Sequence, residues 1–280
     1  MTPDKAGEVG LLKRDNVKVS GRSSSFVTNE TKVFNQTLWD VEIRATRNVI
    51  KKLNKMDPKP RFFIVCGDLV DAFPHEDPFR SRQETDIKKV FSELDSSIPL
   101  VCVCGNHDVG DEPTRESIQR YIDHFGSDYF DFWCGGVHCI VLNSQFYAHC
   151  ENVKDLKEAH EKWLDTVLKD DAHVAKHTII FQHIPWFLAD VNEPKEYFNI
   201  EPHIRLEMLE KFHNAGVRKI FTGHYHRNFC GYYKSMEEVV TSAIGLQLGE
   251  DKPGIRLVRV TEDDIQHEYF EIDQLPTTFL

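Results

Sequence analysis

A layered α/β fold follows from three features of the sequence: apolar runs of strand length alternate with segments of helical period, the runs stop at short polar turns, and the C-terminal end is β-rich. The β-rich end implies some antiparallel pairing. Mixed β-sheets flanked by helices are therefore expected in place of a purely doubly wound sheet.

Taken in order, residues 1–33 are rich in Lys, Asp, Ser, Thr and Asn and read as a flexible tail, leaving 34–275 as one main domain. Trp39, Ile43, Ile50 and Leu53 share a helical face, and Pro58 and Pro60 mark its far end. The run Phe62-Phe63-Ile64-Val65-Cys66 reads as a buried strand that stops at Gly67-Asp68. Ile87, Val90, Phe91 and Leu94 form the next helical stripe. After Pro99, Leu100-Val101-Cys102-Val103-Cys104 is a second buried strand, stopping at Gly105-Asn106-His107-Asp108. A strand from Val137 to Leu142 precedes a helix carrying Leu156, Ala159, Trp163, Val167 and Leu168. The strand Thr178-Ile179-Ile180-Phe181 stops at Gln182-His183, and a helix with Leu209 and Phe212 is closed by Gly216. Lys219-Ile220-Phe221 then leads to Gly223-His224-Tyr225-His226, and Val239-Val240, Arg256–Val260 and His267–Ile272 make up the β-rich end.

Composition narrows the function. Of 280 residues 40% are hydrophobic, which argues against wholesale disorder, and the formal charge of −11 comes with no basic cluster. Nucleic acid and anionic membrane are excluded as partners on that ground, and no apolar run reaches the length of a membrane span. A protein this acidic that handles an anionic substrate needs local positive charge, which bound cations supply. The polar N-terminus does not read as a signal peptide, and the seven cysteines show no CxxC spacing; they read as reduced thiols of a cytoplasmic protein.

Four separate apolar strands thus end in a metal-binding side chain: Asp68, Asn106, His183 and the pair His224/His226. Side chains at the carboxyl ends of strands in an α/β sheet face a common crevice. Each ending alone is more economically a turn residue, a helix cap or a core histidine; four together point to a site. The mixture of oxygen and imidazole donors suits Mn, Fe or Zn better than an all-oxygen Mg or Ca cage.

Gly67-Asp68, Gly105-Asn106-His107-Asp108, His183 and Gly223-His224-Tyr225-His226, in that order, resemble the GD, GNH[DE], H and GHxH signature of the calcineurin-like metallophosphoesterases. The resemblance covers residues from about 39 to 272 and extends into Leu142–Tyr147 and Phe181–Pro185. It implies a layered fold holding two divalent cations. Asp68 would bridge both, Asn106, His183 and His224 would complete one, and His226 would bind the other. It further implies that activated water attacks phosphorus directly, that His107 protonates the leaving group, and that Asp108 orients the His107 ring. The implied activity is hydrolysis of phosphomonoesters by a protein serine/threonine phosphatase, with a phosphorylated protein or a small phosphoester as substrate. Phosphodiester hydrolysis on a nucleotide or lipid uses the same ligands.

The family's first motif, Asp-x-His or Asp-x-Gln after an apolar strand, has no counterpart in residues 1–38. One well-formed metal site and one poor one are therefore expected, together with the loss of a central strand. This leaves open a catalytically weak form acting as a binding or regulatory module. In the loop 71–85, His75, Arg80 and Arg82 are candidate substrate contacts, as is Tyr147.

Overall fold

The computed structural model describes residues 29–171 and 175–279. The chain divides into two units, Met1–Leu38 and Trp39–Leu280. Of the first, the described part is helical from residue 29, so most of the tail expected over 1–33 lies outside the described residues.

Helix α1, Asn29–Leu53, starts well before the period that begins at Trp39. It buries Trp39, Val49, Ile50 and Leu53. The first two predicted strands form β1 (Phe63–Cys66) and β2 (Leu100–Val103), paired in parallel as a two-stranded sheet. Between them lies α2 (Phe79–Phe91), and after β2 come the short α3 (Asn106–Val109) and α4 (Arg115–Phe125). Thr114 caps α4 by accepting a hydrogen bond from the Ser117 N–H.

The main sheet has six strands: β3 (Phe130–Cys134), β4 (Val137–Val141), β5 (His177–Phe181), β6 (Val217–Thr222), β7 (Phe229–Tyr233) and β8 (Met236–Val240). Their order is β3-β4-β5-β6-β8-β7, with β4, β5, β6 and β8 parallel and the two edge strands antiparallel. The short α5 (Gln145–Ala148) and α6 (Lys154–Asp171) fall between β4 and β5, and α7 (Pro202–Asn214) precedes β6. A final antiparallel pair, β9 (Gly254–Val260) and β10 (Ile265–Glu271), realises the β-rich end. The mixed sheets agree with the expectation.

Side-chain alternation along the strands separates two cores. Ile140, Ile180 and Ile220 point to one face of the main sheet, where Leu164 and Leu168 of α6 and Leu209 and Phe212 of α7 cover them. Cys139, Val141, Ile179, Phe181 and Phe221 point to the other, toward Val101 and Val103 of β2 and Ile265 of β10. Val49 and Leu53 of α1 pack with Phe63 of β1 and Ile255 and Leu257 of β9 on the far side of the small sheets. The layers therefore run helix, sheet, paired small sheets, helix, and the site-bearing loops all leave the carboxyl ends of β1, β2, β5 and β6.

Candidate metal centre

The turns after the strands are built under steric constraint. Asp68, His224 and His226 all hold left-handed backbone, with φ of 52°, 62° and 51°. Non-glycine residues adopt this at a cost of about 1–3 kcal/mol, and such strain gathers where a side chain must be aimed. Gly105 packs against this strained turn: a Cβ there would lie 2.2 Å from Asp68 Oδ1 and 2.3 Å from its amide nitrogen. Gly67, at φ 91°, leaves the same space for the ring of His183, 2.2 Å from where a Cβ would stand. These two glycines let the β1, β2 and β5 turns share one small volume.

Four donors meet in that volume. His183 Nε2 lies 3.0 Å from Asn106 Oδ1, 3.1 Å from His224 Nδ1 and 3.3 Å from Asp68 Oδ1. The opposite ring nitrogens are already engaged. His183 Nδ1 donates to the Cys66 carbonyl at 2.8 Å and His224 Nε2 donates to the Tyr197 carbonyl at 3.2 Å. This fixes both tautomers with a lone pair facing inward, as in histidine ligands held by a carbonyl behind them. Asn106 is oriented in the same way. Its amide nitrogen donates outward to Asp111 Oδ1 at 2.9 Å and to the Tyr197 hydroxyl at 3.1 Å, turning Oδ1 to the centre. Lone pairs of two imidazoles, an amide oxygen and a carboxylate oxygen thus converge at about 3 Å spacing, the separation of adjacent ligands around an ion bound at about 2.1 Å. The donor set fits a divalent cation.

Electrostatics agrees. Burial raises the Asp68 carboxyl, but the imidazoles of His183, His107 and His224 outweigh it and hold the pKa well below the usual carboxylate range. Burial, reinforced by His183, pushes His224 down to about 3, so its inward nitrogen is free of a proton at neutral pH. Burial works against protonation of His183 too, yet the Asp68 charge overcomes it and raises the pKa; a proton and a cation compete for the same Nε2.

His226 stands outside the grouping in which the ligand atoms of Asp68, His183 and His224 lie within 4.8 Å of one another. Its Nδ1 is buried without a hydrogen-bond partner, and burial lowers its pKa. The Glu42 carboxyl lies close by: burial first, then the Asp71 and Asp68 charges, push its pKa up to about 7, and it lines the same cavity as Asp68 and His226.

His107 lies beside the cluster, its amide N–H donating to Asp68 Oδ1 at 3.0 Å. The ring packs against Phe73 at 4.3 Å between centroids, and Nδ1 donates to the Asp71 carbonyl at 2.5 Å. Burial disfavours its charge, but Asp68 and the Asp71 carbonyl prevail and raise its pKa. The contact expected between Asp108 and this ring is not formed; the backbone carbonyl of Asp71 takes that place. Asp108 instead accepts from the Leu69 N–H at 3.0 Å and the Gly105 N–H at 2.8 Å, tying the β1 and β2 turns together as a cap of α3. It is wholly buried, and burial together with Asp68 raises its pKa to about 6.

Two candidate substrate contacts are corrected. Arg80 is fully buried, and it donates to the carbonyls of Ala72, His107 and Asp108 while pairing with Glu84. Tyr147 is also buried, its hydroxyl 3.4 Å from His160 Nδ1 in a cluster of aromatic rings. Arg82 is exposed and pairs with Asp86. Sequence reasoning missed Asp111 and Tyr197. Asp111 follows the GNHD turn closely enough to have been considered; Tyr197 lies in an irregular segment with no local signal.

Converging donors at the carboxyl ends of four strands in a layered α/β fold define a metallophosphoesterase. The chain belongs to the calcineurin-like phosphoesterase family, whose pattern matches residues 39–228. Among relatives, the human serine/threonine-protein phosphatase CPPED1 is 46% identical over 240 residues, covering 85% of this chain and 76% of the relative. The Danio rerio protein of the same name is 45% identical over 238 residues, covering 85% and 77%. Among solved structures, yellow lupin purple acid phosphatase aligns with a TM-score of 0.60 at 11% identity, over 82% of this chain and 47% of that one. A dimetal phosphatase from Danio rerio aligns at 0.52 and 16% identity, over 71% and 77%. These two show a shared fold.

Proposed function

We infer that the chain hydrolyses phosphomonoesters, with phosphoserine and phosphothreonine of proteins as the substrate class. The observation that carries this reading is the convergence of Asp68, Asn106, His183 and His224 on one point with every lone pair facing inward. Identity of 46% to the human relative, a serine/threonine-protein phosphatase by name, supports the substrate class. Mn, Fe or Zn suits the mixed oxygen and nitrogen donors. When bound, such a cation supplies Lewis acidity toward water and the phosphoryl oxygens.

The protein's own groups do the rest. Asp68 provides fixed negative charge, and Asn106 provides an oxygen that adds none. Asp71 holds the Nδ1 proton of His107 at its carbonyl. That leaves the other edge of the ring to carry and deliver a proton to the departing alkoxide, a role that the upward shift of its pKa by Asp68 and the Asp71 carbonyl favours. Seven free thiols support a cytoplasmic location.

A second reading, a weakly catalytic binding form, is favoured by one observation: His226 stands outside the four-donor cluster, and its buried Nδ1 has no partner among the described residues. Hydrolysis of p-nitrophenyl phosphate, its bis ester and a phosphothreonine peptide in Mn²⁺ separates the readings. Turnover of the monoester and peptide, lost on chelation and reduced about a hundredfold in His107→Ala, is expected. Turnover that survives both treatments contradicts it, and faster hydrolysis of the diester would transfer the assignment to a phosphodiesterase.

A further inference from the structure

The two small sheets each present an unpaired edge to the same cavity. β1 pairs with β2 alone and β9 with β10 alone among the described residues. The Phe63 N–H donates to the Pro99 carbonyl, so Phe63 and Val65 face β2. Strand alternation then turns the backbone groups of Ile64 and the N–H of Cys66 the other way. On β9, the Thr261 N–H bonds to Asp264 and the Ile272 N–H to Pro253. These bonds fix the odd-numbered residues of β9 toward β10, and the N–H and C=O groups of Arg256, Val258 and Val260 point away from it. Both sets of groups border a cavity of about 1460 Å³, which no residue of β2 or β10 lines.

The cavity, hereafter the slot, is lined by the main sheet, the small-sheet strands β1 and β9, and α1. Phe181 and Phe221 of the main sheet line it on one side, and Leu53 and Met56, at and just beyond the end of α1, line it on another. β9 offers seven residues along it and β1 four. Asp68 and His226 stand at the end where β1 terminates.

We propose that this slot binds an extended segment of a partner polypeptide, inserted as a strand between β1 and β9. Two facing rows of backbone donors and acceptors at strand period are complementary to another backbone and to no lipid or small apolar molecule. The occupant needs apolar side chains on both faces, because the aromatic floor and the helix-side wall are both apolar. A second copy of this chain does not meet the requirement: its edge strands are already hydrogen-bonded on one side, whereas the slot engages both. Residues 1–28 contain no apolar run longer than Val9-Gly10-Leu11-Leu12, which a glycine interrupts and which is shorter than the seven residues of β9. A segment that leaves the slot at the Asp68 end exits toward Glu42, Asp68 and His226, which line the cavity. The binding does not rest on the proposed function.

The test uses the metal-free protein and a fluorescein-labelled peptide: paired lysines for solubility, a short run of alternating valine and isoleucine, then Asp-Gly. Saturable anisotropy at micromolar protein is expected, with binding about tenfold weaker or worse when alternate peptide nitrogens are methylated, which removes donors and keeps the side chains. In the protein, Val258→Pro removes an N–H that faces the slot and leaves the β9/β10 ladder intact, so it weakens binding by a similar factor while the melting curve stays cooperative. Hydrogen exchange at the amides of Ile64, Arg256, Val258 and Val260 slows on peptide addition. Equal binding of the methylated peptide overturns the proposal. So does strong protection of those amides before peptide is added, which would mean that the protein's own residues or a second copy already fill the slot.

Discussion

Arg80→Met is the substitution whose cost can be worked most completely from the structure. The guanidinium is entirely buried. Nη1 donates to the carbonyls of Ala72 at 2.9 Å and His107 at 2.7 Å, Nη2 to that of Asp108 at 3.0 Å, and Nε to Glu84 at 2.6 Å. Methionine fills the space of the stem and provides no donor. Glu84 keeps a partner in Arg120, at 2.9 Å and 3.0 Å, so the carboxylate is not stranded without a cation. The loss falls on three buried carbonyls at about 1 kcal/mol or more each, giving roughly 3–4 kcal/mol. For a domain of this size that corresponds to about 6–16 °C in Tm. Urea unfolding and thermal melts followed by circular dichroism measure both. Because two of the carbonyls belong to His107 and Asp108, next to Asn106, the substitution also weakens Mn²⁺ binding. A destabilisation below about 1 kcal/mol, with metal affinity unchanged, would refute the claim that Arg80 pins the α2 loop to the site.

Other substitutions probe separate parts of the account. Asp111→Ala frees the Asn106 amide to rotate, so Mn²⁺ affinity measured by calorimetry falls about 10–100-fold while folding stability changes little. His160 is held neutral by burial, with Lys157 adding to it, and its pKa is pushed down to about 3 from 6.5. Its contribution is therefore complete above pH 6.5 and lost as the pH falls toward 3, because the unfolded chain takes up a proton that the fold refuses. At pH 5 the loss is about 2 kcal/mol. His160→Phe keeps a ring in edge-on contact with Tyr129 and in tilted contact with Trp163 and removes that titration. Its stability between pH 8 and pH 5 should fall less than the parent's by about that amount, and identical pH profiles would contradict the assignment.

The strands that carry the site were legible because both of their faces are apolar. Phe63–Cys66, Leu100–Val103 and His177–Phe181 read as near-continuous apolar runs, and each stops at its ligand. The helices α6 and α7 announced themselves by period. The helix α4 and the strand β3 did not: α4 buries only Ser117, Ile118 and Tyr121, and β3 alternates half-buried and exposed residues at the sheet edge. The five ligand candidates were readable as strand endings, and the structure brings four of them together. What governs their orientation was not readable. The carbonyls of Cys66, Tyr197 and Asp71 fix the histidine tautomers, and a backbone carbonyl leaves no mark on the sequence. Arg80 and Asp108 illustrate the converse. Both carry charges beside a phosphate-handling motif, yet burial and hydrogen bonding commit them to holding the loops together.

The central claim is that Asp68, Asn106, His183 and His224 form one cation site, and the most direct measurement is metal content after chelation, reloading with Mn²⁺ and gel filtration. The parent chain should retain at least one equivalent, and His183→Ala, which removes the nitrogen closest to the other three donors, should retain almost none while melting cooperatively. Equal retention by parent and variant, or none by either, would contradict the site.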